Sequence, residues 1–200
     1  GQVLRMNQDG SGVETIYRPQ LFNDPYGFEG PSFLGADLYL NTRGSGVKHT
    51  GVWKIPGVAS LAFGRNFPRP VLVLSRSQTA SEFGEGTVFT PQGDLLVVDR
   101  WNSRVLKSSP PYAAAFPFIT ENLNEPFGIV VSGNEIWVAS GGFQWNINRY
   151  DLISGKYVNT LATFQNGFPT FMELDPAGSL YVTESGGNVW TRSSAGAWRY

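Results

Sequence analysis

Gly93-Asp-Leu-Leu-Val-Val-Asp99 is a turn residue followed by a β-rich run that ends on an acid. The phrase recurs as Ala36-Asp-Leu-Tyr-Leu-Asn-Thr42, Asn134-Glu-Ile-Trp-Val-Ala-Ser140 and Gly178-Ser-Leu-Tyr-Val-Thr-Glu184, at spacings of 57, 41 and 44 residues. Self-similarity at that period, with no amphipathic helix between the copies, implies the blades of a β-propeller.

Each copy is preceded by a short apolar run: Gly30-Pro-Ser-Phe33, Gly86-Thr-Val-Phe89, Gly128-Ile-Val-Val131 and Phe171-Met-Glu-Leu174. A third run follows, β-former first and usually a base third: Val52-Trp-Lys54, Val105-Leu-Lys107, Ile147-Asn-Arg149 and Val189-Trp-Thr191. The base is expected on a solvated face, alternating with buried neighbours. A fourth, less regular run closes each unit at 71–74, 116–119, 157–161 and 197–200. Four short strands in some forty residues make one antiparallel blade.

The expected architecture is all-β: one propeller domain over 1–200, with blades at about 25–75, 84–120, 126–164 and 168–200. Residues 1–20 supply only a third and a fourth strand, a half blade. Four and a half blades leave strand edges open, which suggests a piece of a longer, six-bladed ring. A closed five-bladed ring with one thin blade is the alternative. Asp9-Gly10 and Ser154-Gly155 suit turns between third and fourth strands.

Composition bounds the chemistry. Net charge is −1, so neither nucleic acid nor an anionic membrane is an expected partner. No run of about 18 apolar residues and no charged-then-apolar leader occurs in the sequence. There is no cysteine, which excludes thiolate nucleophiles, zinc–thiolate sites and disulfides. The compartment stays open, with a secreted or periplasmic one favoured. His49, the sole histidine, lies between strand runs and reads as a surface-loop residue, so histidine-pair chemistry is excluded.

The stretch Asp99-Arg-Trp-Asn-Ser-Arg-Val-Leu-Lys107 resembles the NHL repeat, whose blades carry Asp, Asn and Arg-Val between the second and third strands. In that setting Asp99 and Asn102 are expected to bond turn amides. Phe28-Glu-Gly-Pro31 followed by Asp37-Leu-Tyr-Leu is similar to the opening of the senescence-marker-protein and gluconolactonase family. That resemblance implies a carboxylate, here Glu29, on an axial divalent cation that polarises a lactone carbonyl and activates water.

Alignment of the repeats places Glu29, Glu85, Phe127 and Thr170 at equivalent points near the channel mouth. Two carboxylates there could share a hard cation such as Ca2+, with Asn166 adding a carbonyl. Without metal they would repel, and one pKa would rise. The rival reading makes both solvated carboxylates at a channel rim. Phe127 and Thr170 depart from the lactonase pattern, which brings an Asn and an Asp to comparable positions.

Trp101, Phe143, Trp145 and Trp190 crowd the second-strand exits, and most are expected in the core. Trp101 and Trp145 lie in Gly- or Asn-rich segments and, with Asp99 and Arg100, are candidate ligand-binding residues. Arg43, in Asn41-Thr-Arg-Gly-Ser-Gly46, is a fifth. Its loop follows a second strand and opens no helix, so a nucleotide site is not expected. The expected function is an NHL-like module binding a small molecule, glycan or protein on a propeller face. The alternative is a divalent-metal-dependent lactonase-type hydrolase.

Overall fold

The computed structural model describes residues 2–7, 9–18, 27–42, 50–62, 68–75, 85–141, 144–165 and 167–199. Strands β1 (Val3–Arg5) and β2 (Glu14–Tyr17) form a two-stranded sheet. The first blade is β3 (Phe28–Leu34), β4 (Asp37–Thr42), β5 (Gly51–Ile55) and β6 (Val71–Ser75). The second is β7 (Thr87–Phe89), β8 (Leu95–Asp99), β9 (Arg104–Ser108) and β10 (Phe116–Ile119). The third is β11 (Pro126–Ser132), β12 (Glu135–Ser140), β13 (Trp145–Asp151) and β14 (Tyr157–Phe164). The fourth is β15 (Pro169–Leu174), β16 (Leu180–Glu184), β17 (Val189–Arg192) and β18 (Trp198–Arg199). Each blade pairs its strands antiparallel in chain order, and the blades stand in a propeller arrangement. Among the described residues, helix is confined to single 3-10 turns at Val58–Ser60 and Arg100–Asn102.

The recurring phrase is the second strand of each blade, and its two faces serve two neighbours. Leu95 and Val97 of β8 pack with Tyr39, Val52 and Leu74 of the first blade. Leu96 and Val98 pack with Ile129, Ile136, Val138 and Tyr150 of the third. Side chains alternate across a strand, so a strand buried on both faces must be apolar at every position. In β16 only one face is covered. Leu180 and Val182 pack against Trp137, Ala139 and Ile147, whereas Tyr181 is 43% exposed. At the other end Ile16 of β2 packs with Leu38, Leu40 and Ile55. Arg5 ties the same junction by donating to the Val58 and Leu61 carbonyls at 3.1 and 2.6 Å.

The third-strand bases are not simply solvated. Lys54, Lys107 and Arg149 each pair with the acid at or just before the start of the neighbouring second strand, Asp37, Asp94 and Glu135. Their guanidinium or ammonium groups hold the three carboxyls below the usual range, with the Gly57 amide the larger cause at Asp37. The fourth blade has Ser179 and Thr191 at these places and makes no such pair.

Inner strands pack closely around the axis. A Cβ on Gly30 would lie 2.2 Å from the Glu85 carbonyl oxygen, one on Gly86 2.8 Å from that of Phe127, and one on Gly128 2.4 Å from that of Thr170. The first two relationships are also hydrogen-bonded: Thr87 Oγ1 donates to the Gly30 carbonyl at 2.6 Å and the Gly86 N–H to Phe127 at 3.0 Å. The fourth copy of this position is Phe171, 43% exposed. Glycine stands wherever a following blade docks within the described chain.

Candidate functional site

In a blade of sequential antiparallel strands, the start of the first strand, the end of the second and the start of the third share one edge. Glu29, Glu85, the Asp99–Asn102 segment and Trp145 therefore lie on one face of the propeller. Between the inner strands runs a cavity of about 710 Å³, lined by Glu29 at one end and largely apolar residues such as Phe33, Val88 and Phe171.

The aligned residues occupy equivalent places. β3, β11 and β15 each carry a register irregularity at the aligned residue, between Glu29 and Ser32, Pro126 and Ile129, and Pro169 and Met172. Such a bulge re-aims the residue beside it. Glu29 and Glu85 come together: the Glu85 N–H donates to Glu29 Oε2 at 3.2 Å.

Glu85 is only 5% exposed, so it is not the solvated rim carboxylate of the rival reading. Arg100 Nη1 donates to Glu85 Oε1 at 3.2 Å, while its Nη2 reaches Glu125 Oε2 at 2.9 Å. The guanidinium lies 4.0 Å from the centre of the Phe127 ring and 5.0 Å from Trp101. Burial pushes the Glu85 carboxyl up, the adjacent Glu29 carboxylate adds to the rise, and Arg100 opposes it. Glu85 (φ 88°), Ser103 (φ 48°) and Glu125 (φ 42°) adopt left-handed backbone that L side chains rarely take. All three touch this network, since the Glu125 N–H donates to Ser103 Oγ at 3.3 Å. Strain of about 1–3 kcal/mol per residue persists where surroundings over-determine it, often at functional sites.

The raised pKa has a signed consequence. A carboxyl with a folded-state pKa above its ordinary value of 4.5 binds a proton more readily folded than unfolded. Its contribution to stability therefore falls as pH rises from 4.5 through the raised value. Glu85→Gln should flatten the stability–pH curve in that weakly acidic window, measured by urea unfolding. An unchanged slope there would remove the assignment.

Asp99 departs from expectation. It is fully buried and offers no oxygen to a ligand. Asn102 Nδ2 donates to both carboxylate oxygens at 3.0 and 2.9 Å and Arg104 Nε to Oδ2 at 2.7 Å, so side chains and not turn amides are its partners. Thr42, Ser140 and Glu184, at the same place in their blades, are likewise buried and hydrogen-bonded. This is a structural device at each second-strand end. Trp101 is 54% exposed, outside the core. Trp145 is partly buried against Phe168, 6.1 Å between ring centres, and Phe168 stacks on Phe127 at 5.0 Å. Arg100, Phe127, Phe168 and Trp145 thus make a continuous row across the face. Arg43, His49, Phe143 and Asn166 lie outside the described residues.

Three participants are not singled out by the repeat pattern. Glu125 and Phe168 precede the inner strands β11 and β15, where only the spatial meeting of blades gives them a role. Asn41 pairs directly with Glu29 across the β3–β4 ladder, is fully buried, and has neither amide atom hydrogen-bonded. Side chains of directly opposed residues share a face, so this orphaned amide lies on the Glu29 side of the sheet.

No family model matches the sequence, and no curated protein matches it. The fold does have solved counterparts. In the nidogen/laminin complex structure a chain superposes with TM-score 0.68 at 10% identity, over 96% of this chain and 70% of that one. A gluconolactonase from Xanthomonas campestris gives 0.66 at 16%, over 98% and 67%. Virginiamycin B lyase from Staphylococcus aureus gives 0.58 at 14%, over 86% and 54%. At these identities the likeness establishes the propeller fold and nothing finer. The chain spans 54–70% of the length of these structures.

Proposed function

We propose that this chain is a binding module that takes a protein partner on the propeller face carrying Arg100, Trp101 and Glu125. The observation behind this reading is the Arg100 guanidinium. It answers Glu85 and Glu125 together and braces the exposed Trp101 ring. Trp and Arg on a pre-organised rim are the side chains that dominate protein interfaces, because each joins a large contact area to a polar group. A propeller in the nidogen/laminin complex is similar in fold, which is compatible with the reading.

Affinity capture with wild-type chain and with Trp101→Ala, followed by mass spectrometry, should identify a protein lost only from the variant. Its Kd for the purified variant should rise at least about tenfold. Full retention by Trp101→Ala would end the proposal, provided circular dichroism shows the variant folded.

A second reading, a divalent-metal lactonase-type hydrolase, is favoured by the orphaned Asn41 amide beside Glu29. Those two groups and Glu85 would supply oxygens to Ca2+, and the cation would polarise a lactone carbonyl. The fit is partial, because Glu85 already has a cation in Arg100. Calorimetric Ca2+ binding abolished by Glu29→Gln, together with lactone turnover, would favour this reading over the first.

A further inference from the structure

A second cavity, of about 760 Å³, opens between the outer strands of the third and fourth blades, away from the axis. Phe164, Trp190 and Trp198 form its apolar walls, and Glu184 and Asn188 its polar end. Phe164 meets Trp190 edge-on at 6.1 Å and 79°, and Trp198 at 6.0 Å and 88°. Both indoles thereby stand steeply against the Phe164 ring, beside a carboxylate.

The carboxylate is held in place from every side. Glu184 is 7% exposed. Asn188 Nδ2 donates to its Oε1 at 2.5 Å and the Trp190 indole N–H to its Oε2 at 2.8 Å. A Cβ on Gly167 would lie 2.9 Å from the Glu184 carboxyl carbon, and one on Gly186 3.1 Å from Oε1. Both neighbours are thus kept bare around the carboxyl group.

Comparison with the second blade shows what is missing. Asp99 occupies the place of Glu184 there, and Arg104 neutralises it at 2.7 Å. In the fourth blade the residue at the Arg104 place is Asn188, which is neutral. Among the described residues, no basic side chain lines this cavity. A buried negative charge with neutral donors only, next to aromatic faces, attracts a cation. Both oxygens already accept hydrogen bonds, so the site offers charge and ring faces more than free acceptor capacity. That combination suits a cation without N–H donors.

The geometry points to a binding site for a quaternary ammonium group in this inter-blade cleft, formed by Trp190, Trp198, Phe164 and Glu184. The group belongs to a free small molecule or to a trimethylated lysine side chain. It acts independently of the axial face.

The test is calorimetric titration of the whole chain with choline and with its uncharged isostere 3,3-dimethylbutanol. Choline should bind saturably and the isostere at least about tenfold more weakly, the loss expected when a cation–π and carboxylate attraction is removed. Glu184→Gln, which keeps an acceptor for the indole, should weaken choline by about the same factor, and so should Trp198→Leu. The second variant serves if the first fails to fold. Equal binding of choline and the isostere, no saturation by choline, or full affinity in the folded variants would overturn the proposal. An acetylated trimethyl-lysine amide binding more tightly than choline assigns the site to a protein side chain. The reverse order assigns it to a free metabolite.

Discussion

Gly30→Ala should destabilise the fold by about 2–5 kcal/mol, a large share of a typical domain's stability of roughly 5–15 kcal/mol. Two costs add. Gly30 has φ +52°, where an L side chain loses about 1–2 kcal/mol. The new methyl would also lie 2.2 Å from the Glu85 carbonyl oxygen and 2.8 Å from the Gly86 Cα. Those are backbone atoms of the next blade and cannot rotate aside, so the overlap costs about a further 1–3 kcal/mol. Urea unfolding of the variant checks the total. Phe171→Gly is the control, because the same repeat position in the fourth blade is exposed and should change stability by only about 1 kcal/mol. A Gly30→Ala variant within about 1 kcal/mol of wild type would mean that the blades do not pack as described.

The same positions show why some of the molecule was readable in one dimension. The second strand of a blade is apolar on both faces because it is wedged between neighbours, so Leu95–Asp99 leaves a dense, periodic signal. The inner-strand position, glycine in three of the four blades, precedes that strand's phrase by 6 or 7 residues, and the alignment puts Glu29, Glu85, Phe127 and Thr170 in register from that spacing. What the residue at each place does was not readable. Glu85 is buried because Glu29, 56 positions earlier, and Arg100, 15 later, close over it. A solvated rim is the natural expectation when those distant partners are unknown. Asp99 carries a repeat signature, yet its partners Asn102 and Arg104 make it an internal brace and no ligand residue. Trp101 and Trp190 look alike in sequence. One stands 54% exposed on the rim and the other packs between blades, a difference decided by neighbouring sheets.

Arg100→Met should cost about 3–5 kcal/mol at neutral pH, the range for removing one partner of a buried ion pair. The pair qualifies, with side chains 16% and 6% exposed for Arg100 and Glu85. Methionine preserves an unbranched apolar stem against Phe127, so the loss reports charge more than packing. The buried Glu85 carboxylate would then face Glu29 with no cation beside it, and its pKa should climb further above the ordinary value. Folding of the variant would therefore take up a proton over a wider range, and its stability should recover as pH falls toward 4.5. Coupling with Glu85→Gln isolates the cause, because the double variant lacks the orphaned charge and should regain most of the loss. Urea unfolding at several pH values reads both effects. A loss that neither acid nor Glu85→Gln relieves would show that Arg100 acts through packing against Trp101 and Phe127 instead. The double variant also separates two roles of one residue. It should fold like wild type yet fail to engage the partner bound through the Arg100–Trp101 rim, since it restores the balance of buried charge without the guanidinium that braces the indole.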